Sequence, residues 1–468
     1  MSLIEKLNKS KPFKDLNKQE FSWVLYDVGN SAYTMLTCSL IPIWFKALAC
    51  SFSVEEETAM IAESGLGVKE GELFIRELAH SEGLLSQNQA TSLLSVAIAV
   101  ATVIIALIGP ICGAIADHKD TRKFFFVTTV ALGTIGCVLN GFATSWVLFL
   151  IIYVLAKTSY QASLTFYDSM INDVTTEERA DVVSSYGYAW GYIGSCIPFL
   201  IALVAYIFTP GADMGFSILS DSIGKIIGCI VTAGWWFCVS IPLIKNYKQI
   251  NYVSEEKIQI KKVFKKIGAT LKNIVKKDKK VLFFLIAFFL YIDGVNTIIE
   301  NCINLGTALG LPTVGQVIFL LLTQVVAFVG SLVFARLAKK HDTVSLLKVC
   351  IIGYTCVCMY ALTLKELWQF AVMAFAVGCF QGSIQSLSRS YYAKIIPNEN
   401  SGEYFGIYDI FSKGASSLGS LVIAVITQIP GGNINIAVGS LALFFVFGYI
   451  FINLADKKPQ SQESLSKR

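Results

Sequence analysis

Leu25-Tyr26-Asp27-Val28-Gly29-Asn30-Ser31 and Leu290-Tyr291-Ile292-Asp293-Gly294-Val295-Asn296-Thr297 each carry an aspartate and an asparagine three residues apart inside an apolar stretch. If both stretches are helical, the carboxylate and the amide share one face. A carboxylate turned toward lipid is rarely tolerated, so that face is expected to line a watery path through a membrane. Its recurrence in two halves of the chain predicts a transporter built from repeats.

The rest of the composition agrees. Of the 468 residues, 54% are hydrophobic and only 15% charged, where a soluble protein of this length carries about a quarter. Apolar stretches long enough to cross the roughly 30 Å hydrocarbon layer recur along the chain. Twelve are expected, at 22–49, 90–115, 124–143, 146–170, 186–208, 223–244, 281–308, 314–337, 345–364, 367–388, 404–428 and 434–455. No short apolar core followed by a cleavage site stands in the first twenty residues, so the first span is expected to stay in the membrane. The twelve cysteines fall almost entirely in or beside these spans, a pattern of small packing residues rather than of a disulfide or metal framework.

Charge orients the chain. Of the 38 Lys and Arg, 31 lie in the two termini and in alternate loops on one side. By the positive-inside bias, both termini face the cytoplasm. The expected organisation is an N-terminal tail (1–21), a six-helix bundle (22–244) with an acidic extracytoplasmic loop (50–89), a basic linker (245–280), a second bundle (281–455) and a tail (456–468). The linker holds twelve basic residues, and Ile258, Val263, Ile267, Leu271 and Ile274 recur at helical spacing. An amphipathic helix against anionic headgroups accounts for this charge better than nucleic-acid binding does. The loop at 172–185 departs from the pattern, with four acidic residues around Arg179.

The halves resemble each other beyond hydropathy. Gln161-Ala162-Ser163-Leu164 recurs as Gln381-Gly382-Ser383-Ile384, and the offset between aspartates 27 and 293 exceeds that of this pair by about the length of the first external loop. The repeats are therefore parallel, span 1 matching span 7. Polar positions 27, 30, 31, 34 and 38 of span 1, and 293, 296, 297, 300 and 304 of span 7, follow helical spacing. At 1.5 Å per residue, Asp293 lies roughly 18 Å from the cytoplasmic end, near the midplane. The cavity candidates are Asp27, Asn30, Tyr33, Lys157, Trp190, Tyr291, Asp293, Asn296, Glu300, Asp409 and Lys413. Asp27 and Asp409 sit close enough to the cytoplasmic ends to serve instead as caps or gate partners, and Asp409 and Lys413, four apart, can neutralise each other. Asp168 and Arg389 end equivalent spans and read as an inter-bundle gate pair.

Gly113-Ala114-Ile115-Ala116-Asp117-His118-Lys119-Asp120-Thr121-Arg122-Lys123 resembles the cytoplasmic loop motif of the major facilitator superfamily, with His118 at a basic position and Asp120 in place of glycine. The resemblance implies that Gly113, Asp117, Arg122 and Lys123 build a latch, the aspartate capping a neighbouring helix, pairing with arginine and holding the outward-facing state. The second-half counterpart has Lys339 where the aspartate would stand, so the stronger latch is expected in the first half. Trp23-Val24-Leu25-Tyr26-Asp27, Phe166-Tyr167-Asp168-Ser169, Gln381-Gly382-Ser383-Ile384-Gln385-Ser386-Leu387-Ser388-Arg389-Ser390 and Gly402-Glu403-Tyr404-Phe405-Gly406-Ile407-Tyr408 are similar to the vacuole-effluxer branch of that superfamily. That branch includes fungal vacuolar amino-acid exporters. The resemblance implies an all-helical membrane protein of twelve transmembrane helices in two six-helix bundles.

Enzymatic readings fail on the residues. The three histidines stand in loops without metal partners at suitable spacing, and no phosphate-binding Gly-x4-Gly-Lys-(Ser/Thr) loop appears. No cofactor is expected. The expected function is gradient-driven, proton-coupled export of a small polar solute, amino acids first, by a monomer in the plasma membrane of a bacterium or an endomembrane of a eukaryote. Proton or another coupling ion, solute and lipid are its expected partners. Export of drugs or other metabolites, and a transporter-like solute sensor, remain the rival readings.

Overall fold

The helices begin where capping chemistry permits. In the computed structural model, which describes residues 15–50, 52, 54–65, 68–81, 84–210, 218–254, 260–308, 313–428 and 434–456, helix α1 (Lys18–Ala49) starts at Asn17. The Asn17 side chain accepts from the amides of Gln19 and Glu20, and Glu20 returns the bond to the Asn17 amide. This reciprocal cap satisfies donors that a helix start otherwise leaves unpaired. Ser86 and Gln89 close the same box at α4 (Gln87–Ala116), after two short helices, α2 (Val54–Ser64) and α3 (Val68–Ser81), that fill the acidic loop.

The first bundle continues with α5 (Thr121–Phe142), α6 (Trp146–Ser169), the one-turn α7 (Ile171–Val174), α8 (Ala180–Ile207) and α9 (Asp221–Asn246). A linker helix, α10 (Ile260–Lys276), precedes the second bundle: α11 (Lys279–Ala308), α12 (Thr313–Leu337), α13 (Thr343–Ala361), α14 (Leu367–Ile395), α15 (Ser401–Gln428), α16 (Ile434–Ser440) and α17 (Ala442–Asp456). Ten of these helical stretches are long and apolar enough to cross a membrane. α12 and α15 contribute shorter apolar segments, Leu321–Leu337 and Leu418–Thr427. With α16 and α17 forming one span interrupted at Leu441, the described residues give twelve spans in two six-helix bundles. Several helices begin a few residues earlier than apolar patterning alone marks, because polar first turns such as Lys18-Gln19-Glu20 belong to the helix while lying outside its apolar run.

Across the seam, α4 packs on α15, and α8 packs on both α12 and α14. The α4–α15 crossing is backbone on backbone. A Cβ on Gly113 would fall 2.1 Å from the Gly402 carbonyl oxygen, and one on Gly406 would fall 2.6 Å from Pro110 Cα. Only glycine permits that approach. It brings the loop after α4 against the start of α15.

Candidate functional site: a charge cluster between the two bundles

Arg389 on α14 crosses the seam at the side where the basic loops lie. Its Nη2 donates to Asp27 Oδ2 at 3.0 Å, its Nη1 to Asp168 Oδ1 at 3.1 Å and its Nε to Ser184 Oγ at 2.9 Å. The guanidinium carbon lies 4.4 Å from the ring centroid of Trp23 and 4.5 Å from that of Tyr188. Arginine suits this place because its planar fork serves two carboxylates while its faces accept aromatic rings. Arg389 is 2% exposed and Asp27 6%, so water does little to screen them. Removing one member of such a buried set costs about 3–5 kcal/mol, chiefly by stranding the charge left behind. Asp27, a cavity candidate by its sequence position, is thus paired with Arg389 across the seam.

The residues of the expected loop latch meet at the junction of α4 and α15. Asp117 accepts from the amides of Gly402 at 2.7 Å and Glu403 at 2.9 Å, free donors in the first turn of α15, where the helix dipole favours an anion. Arg122 Nη2 binds the same carboxylate at 2.6 Å and its Nη1 reaches Asp173 at 2.7 Å. Burial pushes the Asp117 carboxyl up from its ordinary range, against Arg122 and the two amides, which pull it down. Asp120, standing where the superfamily motif has glycine, adopts φ +61°. The position requires a left-handed turn, and aspartate is among the few side chains that tolerate it. Lys123 is half-buried beside Arg122.

Two residues that the sequence reading left in a loop are hubs. Asp173 accepts from Arg122, from the Tyr247 hydroxyl at 2.5 Å, from the amides of Ile250 (3.2 Å) and Asn251 (2.8 Å), and from Asn251 Nδ2 (2.9 Å). It ties the start of the linker to the first bundle. Asp181, at the start of α8, accepts from Ser390 Oγ, Lys394 Nζ and Thr343 Oγ1, each at 2.6 Å. In the second half, where Lys339 stands in place of aspartate, an acid is supplied from α8, opposite Thr343 and Lys394. The signal was present in the acidic character of 172–185 among otherwise basic loops.

The remaining candidates spread over three environments. Asp293 accepts from the Gly419 amide at 3.0 and 3.1 Å and from Thr297 Oγ1 at 3.3 Å. These partners are in the second bundle, so the carboxylate pins α11 to α15. Asn30 donates to the Tyr26 carbonyl at 2.9 Å and to Asp27 at 3.4 Å, the shared face expected from their spacing. Asp409 accepts from Thr165 on α6, across the seam. Lys157 lies over the Tyr160 ring at 5.6 Å, and Trp190 meets Phe328 edge-on at 5.2 Å across α8 and α12. Asn296 is half-buried. Tyr33 and Tyr291 are buried in this structure. Tyr33 is 1% exposed between Tyr160 and Trp236, and Tyr291 is fully buried, its hydroxyl 2.6 Å from Ser388 Oγ. An aromatic ring beside a polar stripe satisfies the same spacing whether it faces water or a neighbouring helix. The side chains of Glu300 and Lys413 lie outside the described residues.

A family model described as "Vacuole effluxer Atg22 like" matches residues 17–178 and 171–464. The chain belongs to this family. It is 35% identical over 454 residues to "Uncharacterized MFS-type transporter YxiO" of Bacillus subtilis (strain 168), covering 96% of this chain and 98% of that protein. Autophagy-related protein 22 of Eremothecium gossypii is 26% identical over 243 residues, about 47% of each chain. Among solved structures, the human organic anion transporter MFSD10 (TM-score 0.66, 13% identity, 95% of this chain and 100% of that one) shares the fold. So does the Escherichia coli fucose:proton symporter FucP (TM-score 0.65, 14% identity, 94% and 98%). The chain is a multi-pass membrane transporter of the major facilitator superfamily, handling a small-molecule substrate, and not an enzyme.

Proposed function

We propose that the chain is a secondary active exporter of small zwitterionic solutes, amino acids foremost, driven by a proton gradient, with both termini in the cytoplasm. The observation that carries this reading is Arg389 bridging Asp27 and Asp168 between the bundles. A zwitterion offers one carboxylate and one ammonium, the two charges that this triad already pairs within itself. A solute arriving from the basic side can replace the internal contacts as they open, which offsets part of the cost of separating them. In this reading Lys157 and Asp293, deeper in their spans, serve the solute or the proton further along the path. The two bundles, 22–244 and 281–455, act as the rocking units, with 245–280 as their tether.

The family description speaks of efflux, which supports the export direction. The test is flux in proteoliposomes under an imposed pH gradient. A panel of amino acids is compared with the corresponding amines, which lack the carboxylate, and acids, which lack the amine. Gradient-dependent flux of the zwitterions alone is expected. Equal flux of amines, or flux indifferent to the gradient, overturns the reading.

A further inference from the structure

The linker helix carries three distinct faces, and among the described residues one of them is covered by protein. At 100° per residue, Val263, Ile267, Thr270 and Ile274 fall within an arc of about 60°. Val263 is 5% exposed and Ile274 2%, so this face is docked on the ends of α4 and α11. Phe264, Leu271 and Val275 form a second stripe about 100° further round, 57%, 41% and 52% exposed. Lys265, Lys272 and Lys276 follow each of these by one residue and form a third stripe, also exposed. The apolar–lysine pair thus repeats three times on one side of the helix.

A solvated helix has no use for three large apolar side chains beside its lysines. The ends of α4 and α11 set α10 where membrane spans emerge, so the apolar stripe has an apolar medium at hand. Apolar residues reaching the acyl boundary and lysines at headgroup level are the arrangement of an interfacial helix on an anionic surface. The docked face also reaches the latch. Lys266 Nζ lies 2.8 Å from Asn400 Oδ1 and 3.5 Å from the buried carboxylate of Glu403, whose own amide donates to Asp117. On its other flank the linker is stitched to the first bundle, Val253 N donating to the Asp117 carbonyl at 2.8 Å.

We infer that α10 is an anionic-phospholipid sensor, whose Phe264/Leu271/Val275 and Lys265/Lys272/Lys276 stripes bind the headgroup layer and thereby hold Lys266 against the start of α15, favouring the state closed on the basic side. Lipid and protein use different faces, so binding one does not displace the other. The full chain, with spin labels at Glu178→Cys and Glu399→Cys, one exposed residue on each bundle, reports the opening between them. In vesicles of phosphatidylcholine mixed with phosphatidylglycerol, the closed population is expected to rise several-fold over phosphatidylcholine alone, and the gain to shrink with added salt. Changing Lys265, Lys272 and Lys276 together to Gln should abolish the gain. Lys266→Ala should abolish it too, while a probe at Phe264→Cys still reports insertion beside the lipid. Equal closed populations in the two lipids, or an undiminished gain in the triple variant, overturns the inference. So does reproduction of the gain by inorganic phosphate in neutral vesicles, which would assign the lysines to a free anion.

Discussion

Gly187 offers the sharpest handle on the Arg389 triad because it packs against the charged pair while carrying no side chain of its own. A Cβ at this position would fall 2.2 Å from Asp27 Oδ2 and 3.1 Å from Arg389 Nη2. The helix α8 backbone is held from several sides, including the Ser184 hydroxyl on the Ser386 carbonyl at 2.8 Å. The Asp27 carboxylate is therefore the group that must yield. Gly187→Ala should cost the Asp27–Arg389 bond while leaving Asp168 and Ser184 on the guanidinium. A hydrogen bond to a charged group contributes about 1.5–3 kcal/mol. If that contact exists only when the basic side is closed, the closed-to-open ratio should fall by roughly 10- to 150-fold at 1.4 kcal/mol per decade.

The distance between labels at Glu178→Cys and Glu399→Cys reads this ratio directly. The decisive comparison is a cycle with Asp27→Asn. Should the methyl act through Asp27, adding Gly187→Ala to Asp27→Asn changes the ratio by less than about 0.5 kcal/mol. Additive effects, or a Gly187→Ala protein with wild-type distances, would refute the reasoning, because the methyl would then have been accommodated without disturbing the pair.

Asp173→Ala removes the acceptor for five donors and should lower thermal stability in detergent by about 3–5 kcal/mol. Asp173→Asn, which keeps part of the acceptor set, should lose less, and equal losses would point to bulk packing instead. Gly113→Ala forces α4 and α15 apart at a 2.1 Å approach and should weaken the Asp117 cap, read as a longer interlabel distance on the basic side; an unchanged distance contradicts the close-packed seam. Asp293→Asn should abolish gradient-driven flux while preserving folding, and normal pH dependence in that variant would move coupling away from α11. A cysteine within 68–81 should react with an impermeant thiol reagent from outside, and one at Phe264 should not; reversed labelling would end the proposed orientation.

How far the residues alone could go depends on whether a pattern has more than one physical solution. Twelve apolar stretches in two parallel repeats have few, so the architecture follows from hydropathy and from the paired Asp-x-x-Asn faces. The Asp168–Arg389 pairing was legible because two opposite charges end equivalent spans, and a buried arginine without an acid is untenable. Its third member was ambiguous: Asp27 satisfies the helical stripe of α1 equally well as a cavity wall or as a gate, and no spacing rule brings Arg389 of the other bundle to it. Tyr33 and Tyr291 illustrate the same degeneracy, since a ring on such a stripe packs equally well against a neighbouring helix. Asp173 and Asp181 escaped because their partners lie far off in sequence, Tyr247 to Asn251 for one and Thr343, Ser390 and Lys394 for the other, and no spacing rule spans such separations. What the sequence did show at 172–185 was an acidic island among basic loops. In a membrane protein whose closed side is otherwise crowded with lysine and arginine, such an island has to be neutralised by some of them. An acidic loop on the positive side of a repeat-built transporter is therefore itself a reason to look for a latch, with the neighbouring bundle supplying the cations.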